Sequence, residues 1–120
     1  MDDSETRKFQ KDLNTGLVAL VVLTVLGHSD EDLYGYEIAK RLQPADAQAA
    51  LFKEGTVYPV LRSLAASGAL SSRVVPSYSG PPRRYYRITD DGRQLLANWQ
   101  AAWSRTRDYV DNVLGPPIED

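Results

Sequence analysis

"EGTVYPVLRSLAASGAL", residues 54–70, decides how the rest of the chain is read. Val57, Val60, Leu61 and Leu64 recur at helical spacing, and Gly68 supplies a C-terminal stop. Yet the opening turns hold Thr56, Tyr58 and Pro59, which a helix built only for packing would not choose. Pro59 removes a backbone donor, while Thr56 and Tyr58 carry hydroxyls on a face that the apolar stripe does not use. After Gly68 the period changes from helical to alternating. In "ALSSRVVPSY" Leu70, Ser72 and Val74 share one face, and in "RRYYRIT" Tyr86 and Ile88 do. "SYSGPP" between them has the glycine and prolines of a loop tip. A helix is thus followed at once by a two-stranded hairpin, with Arg83 and Arg84 at its far end beside Gly80.

Working outward, a leading helix is expected over about 5–26, amphipathic at first and apolar almost all round in its second half. A helix apolar on every side needs two packing partners, and one of them can come from a second subunit. "LYGYEIAKRLQ", 33–43, reads as the next helix, with Ile38, Ala39 and Leu42 inward and Pro44 as its end. Residues 44–53 read as a connector. Thr89 caps a last helix that carries Asp90 and Asp91 in its first turn and stops at Gly115-Pro116-Pro117. The order helix, helix, helix, hairpin, helix predicts a mainly α (α+β) winged helix-turn-helix over 5–89, with a long C-terminal dimerisation helix over 90–114.

In that arrangement the second helix of the pair enters the major groove, and the hairpin lies along the backbone or the minor groove. The hydroxyls of the quoted stretch then have a use. Thr56 donates to a phosphate, Tyr58 reaches a phosphate or a base edge, and Arg83 and Arg84 provide the cations the wing requires.

The charge pattern fits local contact with a polyanion. The 120-residue chain has a net charge of −2, which argues against indiscriminate coating of nucleic acid. From Lys53 to Arg93, however, there are seven cations and three acids, while the first 33 residues hold seven acids and three cations. Arg62 and Arg73 each suit a phosphate contact or a solvated surface, and Arg62 is grouped with the DNA-contacting set. Without cysteine and with one histidine, His28, the chain has no means for a thiolate metal site, a zinc cluster or a Ser-His-Asp machine. No nucleophile–base pair or phosphate loop is present, so an enzyme is not expected, nor is a cofactor or a metal. The longest apolar run, "LVALVVLTVL" at 17–26, is about half of a membrane span, and a cytoplasmic protein with no membrane partner is expected.

The last helix carries a second signal. Leu96, Trp99, Trp103, Thr106, Val110 and Val113 follow spacings of three and four, a seven-residue repeat suited to a paired helix. A free apolar stripe of that length would aggregate, and the economical cover is a symmetry mate.

Three ordered stretches, "LYGYEIAKRL", "EGTVYPVLRSLAASGAL" and "PPRRYYRITDDG", resemble the PadR family of transcriptional regulators, and with the leading helix the resemblance spans nearly the whole chain. It implies a homodimeric DNA-binding repressor of winged-helix fold, acting on a pseudo-palindromic operator in double-stranded DNA. It places Thr56, Tyr58 and Pro59 on the recognition helix and makes Tyr34, Gly35 and Tyr36 structural, with Tyr34 touching the DNA backbone. Relatives usually carry a small polar cap before the Glu-Gly-Thr. This chain has Lys53, which cannot accept amide protons and is instead positioned to reach a phosphate.

Small members of similar length sense flat aromatic compounds at the dimer centre with a tryptophan on the last helix, and Trp103 of "WSR" matches that position. Two roles therefore stand open for Trp103 and, less directly, Trp99. One is stacking on a planar aromatic or cationic effector; the other is filling the dimer core. A winged-helix module for protein–protein contact, without DNA binding, is the competing function.

Overall fold

A computed structural model describes residues 3–43 and 54–116. The elements, in chain order, are α1 (Ser4–Gly27), β1 (Leu33–Tyr34), α2 (Gly35–Arg41), α3 (Glu54–Ala66), β2 (Leu70–Val75), β3 (Arg83–Ile88) and α4 (Asp90–Leu114). This is the expected winged helix-turn-helix, mainly helical with a small sheet. Pro44 and the connector after it lie outside the described residues.

The second half of α1 is the core of the domain. Val18, Val22, Leu23 and Leu26 are buried, and the helix touches α2, α3, α4 and β3. By length and composition α1 is long and apolar enough to cross a bilayer, as core helices also can be, and these four side chains are enclosed by the domain. From α2 come Ile38 and Ala39, and from α3 come Val57, Leu61 and Leu64. Leu33, Leu70, Tyr86 and Ile88 close the core from the sheet.

The sheet corrects the sequence reading. It has three antiparallel strands in the order β1-β3-β2, where the pattern suggested a two-stranded hairpin. Residues 33–34 belong to β1 and not to the second helix: Leu33 pairs with Tyr86, and Tyr34 with Tyr85. Tyr34 is extended, and its backbone N–H donates to the Glu37 carboxylate at 3.2 Å, which starts α2 one residue later. A two-residue strand is too short for any alternation to reveal it.

Between α3 and α4 the chain is tightly closed. Gly68 has φ +91°, and beyond it the Ala69 N–H donates to the Leu64 carbonyl at 3.0 Å, a Schellman-type end. Thr89 Oγ1 donates to the Gly68 carbonyl at 2.6 Å and accepts the Gly92 N–H at 2.9 Å, so one hydroxyl joins the end of α3 to the start of α4. The Thr89 cap and the acidic first turn are as the sequence predicted.

Candidate nucleic-acid interface

Among the residues of α3 whose burial is described, Gly55, Thr56, Pro59, Arg62, Ser63 and Ala66 are exposed, a stripe opposite Val57, Leu61 and Leu64. Thr56 and Arg62 therefore face outward, as expected. Tyr58 does not share their face. Its ring is half-buried and lies where a Cβ on Gly35 would stand, 2.4 Å from Cε1. Gly35 is thus a close-approach glycine that lets α2 and α3 pack, and Tyr58 is part of that packing. Lys53 lies outside the described residues.

The wing also differs in detail. Arg83 and Arg84 are not at the tip with Gly80; they open β3, opposite Val75 and Val74. Gly80 is exposed in the tip loop, where the ring of Tyr78 is also fully exposed. Arg84 donates to Ser72 Oγ at 3.2 Å, and the Arg83 guanidinium lies 4.6 Å over the Tyr34 ring.

The outer sheet face is a ladder of aromatic and cationic groups. Tyr34 packs against Tyr85 with centroids 5.5 Å apart, and Arg73 lies 5.3 Å over Tyr85. Asp32, just before β1, accepts from Arg73 Nε at 2.7 Å and also from Arg87 Nε. These two hydrogen bonds, Arg73 first, hold the Asp32 carboxyl below the usual carboxylate value. One carboxylate so ties β2 and β3 to the loop leading into β1.

The profile of the transcriptional regulator PadR-like family matches residues 22–98, from the core half of α1 into α4. The chain belongs to the PadR-like family. A PadR family transcriptional regulator from Eggerthella lenta DSM 2243 has a similar structure, with a TM-score of 0.79 and 30% identity over 96% of each chain. A transcriptional regulator from Clostridium thermocellum is similar at a TM-score of 0.75 and 27% identity, over 87% of this chain and 99% of that one. An uncharacterized protein from Lysinibacillus sphaericus is 26% identical over 102 residues, which is 85% of this chain and 92% of that protein. PadR-like proteins are transcriptional regulators.

In this PadR-like chain α4 divides into two parts. Leu96 is buried against Gly27 of the same chain and closes the core, so it does not lie on the exposed seam the seven-residue repeat assigned to it. Trp99 is half-buried against the same core. From Arg105 onward every described residue of α4 is exposed, including Val110, Val113 and Tyr109, the last absent from the repeat. Between α1 and α4 runs an open groove of about 450 Å³ lined by Trp99, Trp103 and Thr106 together with Asp12, Leu13 and Leu17 of α1. Both tryptophans and Thr106 are thus brought together. The α1 wall was missed, although Leu13, Leu17 and Leu20 at helical spacing were a legible sign of it.

Sequence reading also missed Asp32. A depressed carboxylate contributes stability above its unfolded pKa and loses it as pH falls through the folded value. Asp32→Asn is therefore expected to unfold at lower urea than the parent at pH 7, with the gap narrowing as pH drops below about 3.9. An equal gap at pH 7 and pH 3 would contradict the arginine–aspartate tie.

Proposed function

We infer that this chain is a dimeric, cytoplasmic DNA-binding repressor. Residues 5–89 serve as the reading domain, and 90–114 as the helix along which two copies pair. The observation that carries this reading is the pairing of two exposed surfaces. One is the polar stripe of α3 with Thr56 and Arg62. The other is the apolar end of α4, where Tyr109, Val113 and Leu114 are 71%, 67% and 69% exposed. A helix of 25 residues is about 37 Å long, more than the small domain can cover.

On this reading two α3 helices enter successive major grooves of a pseudo-palindromic operator. Thr56, Arg62, Tyr34, Arg83, Arg84, Lys53 and the backbone at Gly80 meet phosphates or groove edges. Tyr58 joins this set from a half-buried position, where its ring packs against Gly35 and positions α3. The α1–α4 groove, doubled across the two-fold axis, holds a planar aromatic or cationic effector against Trp103, with Trp99 behind it. Effector binding favours one spacing of the two α3 helices over another and so releases DNA; its leverage is its difference in affinity for the two spacings.

Fluorescence anisotropy with duplexes that flank the chain's own gene tests the first part. Binding is expected to fall steeply with salt. No binding at low salt would favour the protein–protein module. For the effector, planar cationic dyes are expected to quench tryptophan emission, and Trp103→Ala to abolish the quenching in a variant that still dimerises. Absent quenching in the parent leaves Trp103 as packing.

A further inference from the structure

The groove between α1 and α4 is unlike at its two ends. Leu96 of α4 meets Gly27 at the end of α1, so the two helices run antiparallel along the groove. At the end nearest the core stand Leu20 and Trp99, both packed against the buried cluster. At the outer end stand Asp12, Leu13 and Thr106, so the polar groups of the lining gather there. Among the described residues, Asp12 is the one ionisable side chain that lines the groove. Gly16, one turn on from Asp12, has nothing within 4 Å of where a Cβ would stand, which leaves the floor beside the carboxylate open.

Asp12 already has a counter-ion. Lys8, one turn nearer the N-terminus, donates to Asp12 Oδ2 at 3.3 Å from a position outside the lining. The two side chains are 79% and 66% exposed, and an ion pair so open to water is weak and easily exchanged. On the α4 side, Arg105 and Arg107 stand outside the lining, and Arg107 is paired with Asp108. The charge that a molecule in the groove meets is therefore that of Asp12. Its competitor is a lysine held by one loose bond.

We propose that Asp12 sets the sign of the effector's charge, and that Lys8 is a built-in counter-ion which the effector displaces. The occupant is then an amphipathic planar monocation. Its rings lie against Trp103, with Trp99 at the inner end, and its protonated nitrogen donates to the Asp12 carboxylate in place of the Lys8 ammonium. This rests on the effector reading above and narrows it from planar aromatic compounds in general to cationic ones. Two features of the lining select that sign together. The faces of the two indoles attract a cation, and so does the carboxylate. A planar carboxylate of the same size would meet the negative ring faces and Asp12 with like charge.

The test is tryptophan quenching and calorimetry on the full chain with proflavine, acridine and anthracene-9-carboxylate, planar three-ring probes that are cationic, neutral and anionic at neutral pH. Affinity is expected to fall in that order. Asp12→Asn should weaken proflavine binding about threefold to fivefold, the scale of one exposed charge pair, and leave acridine binding as it is. Asp12→Glu, which keeps the charge, should retain the preference for proflavine. Lys8→Ala should tighten proflavine binding about twofold, because the competitor is gone and the carboxylate remains. Lys11→Ala removes a charge from the same helix outside the lining and should change nothing. If no probe binds, the effector reading itself fails, and the groove belongs to packing by a second copy. If the probes bind without regard to charge, or Asp12→Asn keeps the parent's preference, the effector reading stands and this inference is overturned. Proflavine binding that Lys8→Ala leaves unchanged or weakens, or that Lys11→Ala tightens equally, overturns the displacement of Lys8.

Discussion

Val110→Glu combined with Val113→Glu is expected to leave the chain monomeric and to weaken operator binding at least a hundredfold. Both valines are exposed on α4, three residues apart, on the stretch from Arg105 onward that touches no other element of its own domain strongly enough to be covered. Placing a carboxylate at both seam positions brings like charges together across a two-fold axis and removes the apolar contact that drives pairing. The loss in DNA affinity follows from the loss of linkage. Two heads on one dimer bind the second half-site as an intramolecular event, which raises avidity by about 10²–10⁴ over a single head. Sedimentation equilibrium gives the mass, anisotropy gives the affinity, and circular dichroism checks that the helix survives. A monomer that binds the operator as tightly as the parent would refute the pairing of heads.

Gly92→Ala is expected to be the most destabilising single methyl in the described chain. A Cβ there would lie 2.0 Å from the Ala69 carbonyl oxygen and 2.9 Å from both its carbon and Ile88 Cγ1. The obstacle is backbone, and it cannot swing aside as a side-chain tip can. The Ala69 carbonyl accepts the Thr89 N–H at 3.1 Å, and the Gly92 N–H is held by Thr89 Oγ1, so any shift breaks the joint between α3 and α4. A cost of about 3 kcal/mol is expected, at the upper end for overpacking. In a domain of this size that lowers Tm by about 10 °C or more. Gly16→Ala is the matched control: nothing lies within 4 Å of its Cβ, and helix propensity favours the change by about 0.5–1 kcal/mol. Thermal unfolding of the two variants beside the parent checks both signs. A Gly92→Ala variant as stable as the parent would contradict the close approach.

The parts of this fold that were legible in the sequence are those fixed by local chemistry. The period of Val57, Leu61 and Leu64 defines α3, Gly68 ends it, and Thr89 with two aspartates starts α4, each within a few residues of its cause. The parts that were not legible depend on distant neighbours. Asp32 meets arginines 41 and 55 residues further on, and no spacing rule connects them. β1 exists because β3 offers it an edge, not because two residues prefer to be extended. Tyr58 looked like a spare hydroxyl until α2 presented a glycine for its ring. Leu96 fits the seven-residue repeat as well as Val110 does, but Leu96 falls where α4 still lies on the domain and Val110 where it has left it. Periodicity identifies a face; where the helix crosses the body decides what covers that face.

Hydroxyl-radical footprinting of the DNA that flanks the chain's own gene tests the central claim most directly, because it reads how many heads engage and how far apart they are. Two copies joined through α4 should protect two patches whose centres are about 10–10.5 base pairs apart, or a whole multiple of that, about a pseudo-palindromic centre. One isolated patch, or two patches at a separation that puts them on opposite sides of the duplex, would contradict it.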